Sequence, residues 1–148
     1  MTKWLLLAYK IPREPSARRV YVWRKMKQLG AILLQDAVWV LPETERTREQ
    51  FQWLATEITE LGGEATLWTS DLIYATDEQA LQRQFEQQVK SIYGEILADL
   101  KHKQRDLAVL SKQYQQAQSL DFFQSRLGQQ VRTKLLAAEG NRAKGRSS

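Results

Sequence analysis

The order of apolar runs and amphipathic stretches in the first half of the chain most constrains its fold. Helical spacing of apolar residues predicts one helix over about 16–29 and a second over about 42–61. Four short runs rich in aliphatic, β-branched and aromatic residues predict strands: 4–11, 31–35, 37–41 and 64–73. The order strand, helix, strand, strand, helix, strand predicts an α+β, ferredoxin-like fold, in which two helices cover one face of an antiparallel sheet.

Local signals set the expected ends of these elements. Ser16 has the residue type of an N-cap for the first helix, and Gly62-Gly63 is a stop for the second. The polar residues 35–37 predict a tight connection between the two middle strands, and a single bulged strand over 31–42 is the alternative. Five apolar residues are expected on the inner stripe of the first helix: Val20, Val22, Trp23, Met26 and Leu29.

The second half of the chain has a polar, strongly helical composition. One unbroken helix from residue 76 to 118 would be about 63 Å long at 1.5 Å per residue, so we expect either a break, near 101–106, or a projecting arm. A final helix is predicted over about 124–138. We therefore predict a ferredoxin-like domain over 1–75, a helical extension over 76–139 that packs on it or forms an arm, and a disordered basic tail over 140–148.

Composition narrows the class of protein. The sequence contains no cysteine and no apolar run long enough for a membrane span, so we expect a soluble, cytoplasmic protein without a disulfide framework. The net charge of +5 is unevenly distributed. Residues 10–27 carry seven basic residues and one acid, a net +6, and the last nine residues add +3, which leaves the remainder at −4. This asymmetry indicates a polyanionic partner.

Two arginines occupy an unfavourable position at the start of the first helix. Arg18 and Arg19 lie in its first turn, where the helix dipole already carries partial positive charge. A bound anion would accept hydrogen bonds from both guanidinium groups and from the first backbone N–H groups, with Arg13 closing over it. Alternatively, the arginines pair with acids such as Glu14 or Asp36. The candidate DNA- or anion-binding residues are Lys10, Arg13, Ser16, Arg18, Arg19, Arg24, Lys25 and Lys27.

The sequence gives little support for a catalytic or a metal-binding function. His102, the single histidine, lies in the polar run KHKQR, and the acid pairs mostly begin helices or follow their polar faces. No glycine-rich phosphate loop is present, and we expect no cofactor, no metal and no enzymatic activity. Core packing is expected for four tryptophans, with Trp53 partly exposed, and a base-stacking platform is the alternative.

Three stretches carry a family resemblance: WLLLAYKIPREPSARRVYVWRKMKQLGAILLQDAVWVLP, FQWLATEITELGGEATLW and RDLAVLSKQYQQAQSLDFF. Together they resemble the N-terminal domain of ChrB, the chromate-resistance regulator. The resemblance implies a bacterial cytoplasmic regulator that responds to chromate and acts at promoter DNA. It also implies that the tetrahedral chromate dianion is a suitable ligand for Arg13, Arg18 and Arg19. ChrB proteins usually carry a second, C-terminal domain.

A more distant resemblance leads to an alternative function. The order of elements resembles that of CRISPR adaptation proteins and of PaaX-type repressors. In the former an aspartate follows the tyrosine at the end of the first strand, whereas this chain has Lys10 there. A Mg²⁺-dependent nuclease would have to use Asp36 and Asp71 instead. We therefore expect a non-enzymatic, dimeric DNA-binding regulator, with the nuclease and a protein-interaction module without nucleic-acid function as alternatives.

Overall fold

The first half of the chain forms a four-stranded antiparallel sheet with two helices. A computed structural model describes residues 2–102 and 104–146, without the side chains of 75–77 and 143–146. The elements are β1 (Trp4–Lys10), α1 (Ser16–Gln28), β2 (Ile32–Gln35), β3 (Val38–Pro42), α2 (Glu45–Glu60), β4 (Glu64–Ser70), α3 (Ala75–Leu100), α4 (Leu107–Leu120) and α5 (Arg126–Arg146). The strand order is β2-β3-β1-β4. This arrangement confirms the predicted ferredoxin-like α+β fold.

Strand β1 lies at the centre of the sheet and sets the register of its neighbours. Leu7 is opposite Trp39 of β3 and Leu67 of β4. Because side chains alternate along a strand, Leu5, Leu7 and Tyr9 share one face. This is the helix face: α2 packs against β1 and β4, and α1 packs against α2.

The two helices bury narrow apolar stripes on that face. Val22 and Met26 of α1 are fully buried, as are Phe51 and Ile58 of α2. Thr44 caps α2, because its side chain accepts a hydrogen bond from the backbone N–H of Thr47. The predicted stripe of α1 was too wide, since Val20 and Trp23 are exposed.

The tight turns fall where the sequence predicts them. Asp36 joins β2 to β3 with a φ of 40°, a left-handed conformation that aspartate tolerates better than most residues. Gly62 has a φ of 88° just after Leu61, the C-cap residue of α2, and glycine adopts such a conformation without strain. Ala37 accepts a hydrogen bond from the backbone N–H of Tyr9, which fixes the β2–β3 turn against the end of β1.

The chain divides into two compact units, the first ending at Ala80 and the second beginning at Leu81. Helices α3 and α4 are separated at residues 101–106, which confirms the predicted break. Tyr93 is buried in the second unit and donates a hydrogen bond of 3.0 Å to Oδ2 of Asp121.

Of the helices in the described ranges, none combines the length and the apolar character that a bilayer crossing requires.

Helix α5 ends later than predicted. It continues to Arg146, whereas the spacing of apolar residues places its end near Ala138. Gly140 does not stop it, because a single glycine within a run of good helix formers costs only about 1 kcal/mol relative to alanine. The last two residues of the proposed tail, Ser147 and Ser148, lie outside the described residues.

Candidate nucleic-acid and anion interface

The basic loop and helix α1 lie at one end of the sheet. Lys10 ends β1, Arg13 lies in the following loop, and α1 begins at Ser16. We call the side chains of Lys10, Arg13, Ser16, Arg18, Arg19, Arg24, Lys25 and Lys27 the loop-helix surface. All of them are exposed except Lys25, which is half-buried. The sequence-predicted site residues therefore form a surface-exposed band and not a buried pocket.

The start of α1 is uncapped by any side chain. Pro15 is the N-cap residue, so the prediction that Ser16 caps the helix was wrong. The first turn of α1 contains no acid, and its backbone N–H groups include those of Ser16 and Ala17. Such N–H groups, together with the positive end of the helix dipole, favour a bound anion.

Arg18 has a structural partner. Its Nη1 donates a hydrogen bond of 2.9 Å to the carbonyl oxygen of Leu61, the C-cap residue of α2. Helix C-termini present unpaired carbonyl groups and partial negative charge, so an arginine is favourable there. This contact explains why a cation occupies the first turn of α1.

Arg19 lies on the other flank of α1, because neighbouring helix residues point about 100° apart. It lines a cavity of about 380 Å³ between α1 and the β2–β3 hairpin. Tyr9, Ser16, Trp23, Asp36 and Trp39 also line this cavity. The structure therefore brings Arg19 to the uncapped helix start, whereas it directs Arg18 toward α2.

The lysines of α1 contact aromatic rings. The Nζ of Lys25 lies 5.6 Å from the ring centroid of Tyr21, and that of Lys27 lies 5.5 Å from Trp23 and 5.9 Å from Trp39. Tyr21 donates a hydrogen bond of 2.7 Å to Oε2 of Glu57 on α2. That bond, together with the charge of Glu57, raises the pKa of Tyr21. Positive charge along α1 is thus interleaved with aromatic side chains.

Charge on the loop-helix surface is not neutralised by the acids that the sequence suggested. Within residues 2–102 and 104–146, the ion pairs are Lys3–Asp71 and Arg48–Glu43. Arg18 and Arg19 pair with neither Glu14 nor Asp36 among these residues. The positive charge of the seven cations is therefore available to an external anion.

The acids that a nuclease would need lie far apart. Asp36 lies beside the end of β1, near Tyr9, whereas Asp71 lies beside its start and pairs with Lys3 at 3.2 Å. Seven residues of extended strand separate these ends, a distance of about 20 Å. The two carboxylates of one chain cannot share a cation. In the part of the chain that is described, no three His, Cys, Asp or Glu side chains cluster in a way that could hold a metal ion.

Sequence reasoning missed the aromatic part of this region. Trp4 and Trp39 are buried as expected, but Trp23 is 50% exposed and Trp68 is also exposed. Trp53 is exposed, in agreement with its expected partial exposure. Trp23 follows Arg19 by four residues, a spacing that places both on one flank of a helix, and this was the available signal.

Comparison with known proteins agrees with the sequence resemblance. Residues 19–130 match the family model described as Protein ChrB, N-terminal. Protein ChrB of Cupriavidus metallidurans is 36% identical over 78 residues, which make up 53% of this chain and 24% of that protein. A crystal structure of a hypothetical protein from Thermus thermophilus is 24% identical and covers 50% of this chain and 85% of its own, with a TM-score of 0.37, too low to support a fold argument. Because the family model matches most of its length, the chain belongs to the ChrB N-terminal family.

Proposed function

We propose that the chain is a regulatory domain of the chromate-resistance type that binds promoter DNA through the loop-helix surface. Membership of the ChrB N-terminal family and the resemblance of the first 42 residues to the chromate-resistance regulator support the regulatory role. The aligned segment spans about a quarter of the ChrB relative, so promoter binding, chromate response and a cytoplasmic location all belong to this proposal.

The observation that carries the proposal is the uncompensated positive charge of the loop-helix surface. Seven cations lie between Lys10 and Lys27, and none of them pairs with a carboxylate in the described part of the chain. Each phosphate that a cation neutralises releases condensed counterions, which makes binding favourable at low salt. Arg13, Arg19 and Arg24 lack a hydrogen bond to the rest of the described chain and are the best placed to contact phosphates.

A tetrahedral oxyanion is the second candidate ligand. The uncapped start of α1 offers backbone N–H groups, and Arg19 lines the adjacent cavity. Chromate, a tetrahedral dianion, suits these donors by charge and shape. Arg18 contributes less than the sequence predicts, because one arm of its guanidinium already bonds to Leu61.

We also propose a homodimer. Strands β2 and β4 are the edges of the sheet, and exposed apolar side chains lie on them, including Leu33, Leu34 and Trp68. An open edge with apolar side chains favours association with a second copy. Light scattering at micromolar concentration is expected to give twice the chain mass, and a monomer would contradict this part of the proposal.

Binding to the chain's own upstream DNA tests the main proposal. The experiment measures fluorescence anisotropy of the upstream duplex and of a scrambled duplex of equal length, each with and without chromate or sulfate. A regulator is expected to prefer the upstream duplex at physiological salt. Chromate is expected to change this preference, and sulfate, which has the same shape and charge, measures how far the site distinguishes the two dianions. Loss of all DNA binding at that salt would favour a protein-interaction module.

A further inference from the structure

The cavity beside α1 combines aromatic, cationic and anionic groups in one small space. Its volume of about 380 Å³ lies within the range of small-molecule sites. Arg19 and the start of α1 lie at one side of it, the rings of Trp23 and Trp39 line it, and Asp36 lies at the β2–β3 turn. An inorganic oxyanion would use the cationic part alone and would leave the aromatic part without a function.

Trp23 is the aromatic side chain of the cavity that a ligand can reach from solvent. Trp23 is 50% exposed, and the ammonium group of Lys27 lies over its ring at 5.5 Å. An exposed indole beside a cation offers a flat apolar surface for a planar ring and an electrostatic partner for a nearby phosphate. A nucleobase carrying a phosphate has both features.

Trp39 supplies an independent observation. Its side chain is 1% exposed, and its indole Nε1 has no hydrogen-bond acceptor in the described part of the chain. A buried donor without an acceptor is costly, so such groups commonly mark a place that a ligand completes. Trp39 lines the same cavity as Arg19 and Trp23, and a base or sugar oxygen that reached this covered N–H would provide the acceptor.

We propose that this cavity binds one nucleotide unit, with its base against Trp23 and its phosphate toward Arg19 and the start of α1. The inference rests on the proposed DNA-binding function and names an unpaired nucleotide as a ligand of that surface. A carboxylate accepts hydrogen bonds and donates none, so Asp36 favours bases that present an amino or imino N–H to it. Thymine, which has the single imino N–H at N3, is expected to bind more weakly than guanine, which presents both kinds of donor.

Calorimetric titration with defined probes tests the cavity. The probes are the four deoxynucleoside 5′-monophosphates, a short single-stranded oligonucleotide and inorganic phosphate. Trp23→Ala and Arg19→Gln are each expected to weaken nucleotide binding about tenfold or more. The first removes the ring that contacts the base, and the second removes the cation that contacts the phosphate. The matched controls, Trp53→Ala and Arg46→Gln, remove an exposed tryptophan and an exposed arginine from α2 and are expected to bind like the wild type.

A substitution at the buried Trp39 tests the cavity without changing any exposed side chain. Trp39→Phe preserves an aromatic ring and removes the indole N–H, and we expect weaker nucleotide binding from a protein whose thermal melt is still cooperative. Tighter binding of the oligonucleotide would identify a strand as the source of the nucleotide, and tighter binding of a free monophosphate would identify a soluble effector. Either result supports nucleotide binding in the cavity.

Two results would overturn the inference. One is inorganic phosphate binding as tightly as the nucleotides, and the other is Trp23→Ala binding nucleotides as well as Trp53→Ala does. A parallel titration with duplex DNA separates this inference from the proposed function. Duplex binding without nucleotide binding overturns the nucleotide-binding inference alone. Nucleotide binding without duplex binding supports that inference and contradicts the proposed DNA-binding function.

Discussion

Arg18 donates a hydrogen bond from Nη1 to the carbonyl oxygen of Leu61 and so joins the first turn of α1 to the C-terminal end of α2. Its neighbour Arg19 has no such partner in the described part of the chain and lines the cavity on the opposite flank. Two adjacent residues of the same type therefore have different roles. One completes a helix C-terminus, and the other faces the proposed ligand.

The two arginines are expected to respond differently to substitution. Arg18→Glu should lower the free energy of unfolding by about 0.5–1.5 kcal/mol, because it removes the bond to Leu61 and places negative charge beside a helix C-terminus. Arg19→Glu should leave stability unchanged or raise it by about 0.3 kcal/mol, since an acid suits the first turn of α1. Urea denaturation of both variants measures this difference. Equal destabilisation by the two substitutions would contradict the separation of roles.

Thr47 is expected to be a stability determinant of the first unit. Its hydroxyl donates a hydrogen bond of 2.6 Å to the carbonyl oxygen of Pro42, and its side chain is 1% exposed. Thr47→Val leaves the carbonyl of Pro42 without this donor and removes one of the two hydrogen bonds of the capping box. The free energy of unfolding is expected to fall by about 1–3 kcal/mol. Thr56→Val removes an exposed hydroxyl from the same helix and serves as the control. A comparable effect of both substitutions in thermal melts would refute the assignment.

Gly128 fills a position in the second unit that admits no side chain. A Cβ there would lie 2.9 Å from Cζ and Oη of Tyr93 and 3.0 Å from Oδ2 of Asp121. Gly128→Ala is therefore expected to cost about 1–3 kcal/mol through displacement of the Tyr93–Asp121 pair. Gly140→Ala, on the same helix with open space around it, should stabilise by up to about 1 kcal/mol. Chemical denaturation that gives both changes the same sign would contradict this packing.

Alkaline pH is expected to weaken the fold through two tyrosines. Burial, with the hydrogen bond to Asp121, raises the pKa of Tyr93 above its ordinary value of 10.0, and the hydrogen bond to Glu57 raises the pKa of Tyr21. A pKa that is higher in the folded state means that the stabilisation from these hydrogen bonds is complete below pH 10 and disappears as the pH rises through the folded values. Phenolate absorbance during titration should show a late-ionising group that Tyr93→Phe removes. An unchanged titration curve in that variant would exclude Tyr93 as the late group.

The order of helices and strands can be predicted from the sequence because each element depends on the spacing of apolar and turn residues within a short stretch. The apolar runs around Leu5 and Val40, the turn at Asp36 and the helix stop at Gly62 are all readable within a few residues. The break between α3 and α4 is readable for the same reason, since the apolar stripe pauses over residues 101–106.

The site is less predictable because it depends on tertiary contacts. The bond from Arg18 to Leu61 joins residues 43 positions apart, and no spacing rule indicates it. The exposure of Trp23 depends on how far α1 is rotated over the sheet, which Val22 and Met26 decide once they are buried. The sequence therefore indicated a cationic helix start but not which arginine is available there.

The salt dependence of binding to upstream duplex DNA tests the central claim most directly. A variant in which Arg13, Arg19 and Arg24 are all changed to Gln is compared with a control that removes three exposed arginines from other helices: R46Q, R83Q and R132Q. If the loop-helix surface neutralises phosphates, the first variant should bind weakly, and its log–log salt slope should fall by about 0.9 for each phosphate that is no longer neutralised. The control should keep nearly the wild-type slope. Equal slopes for the two variants would contradict the claim, because net charge and not the loop-helix surface would then govern binding.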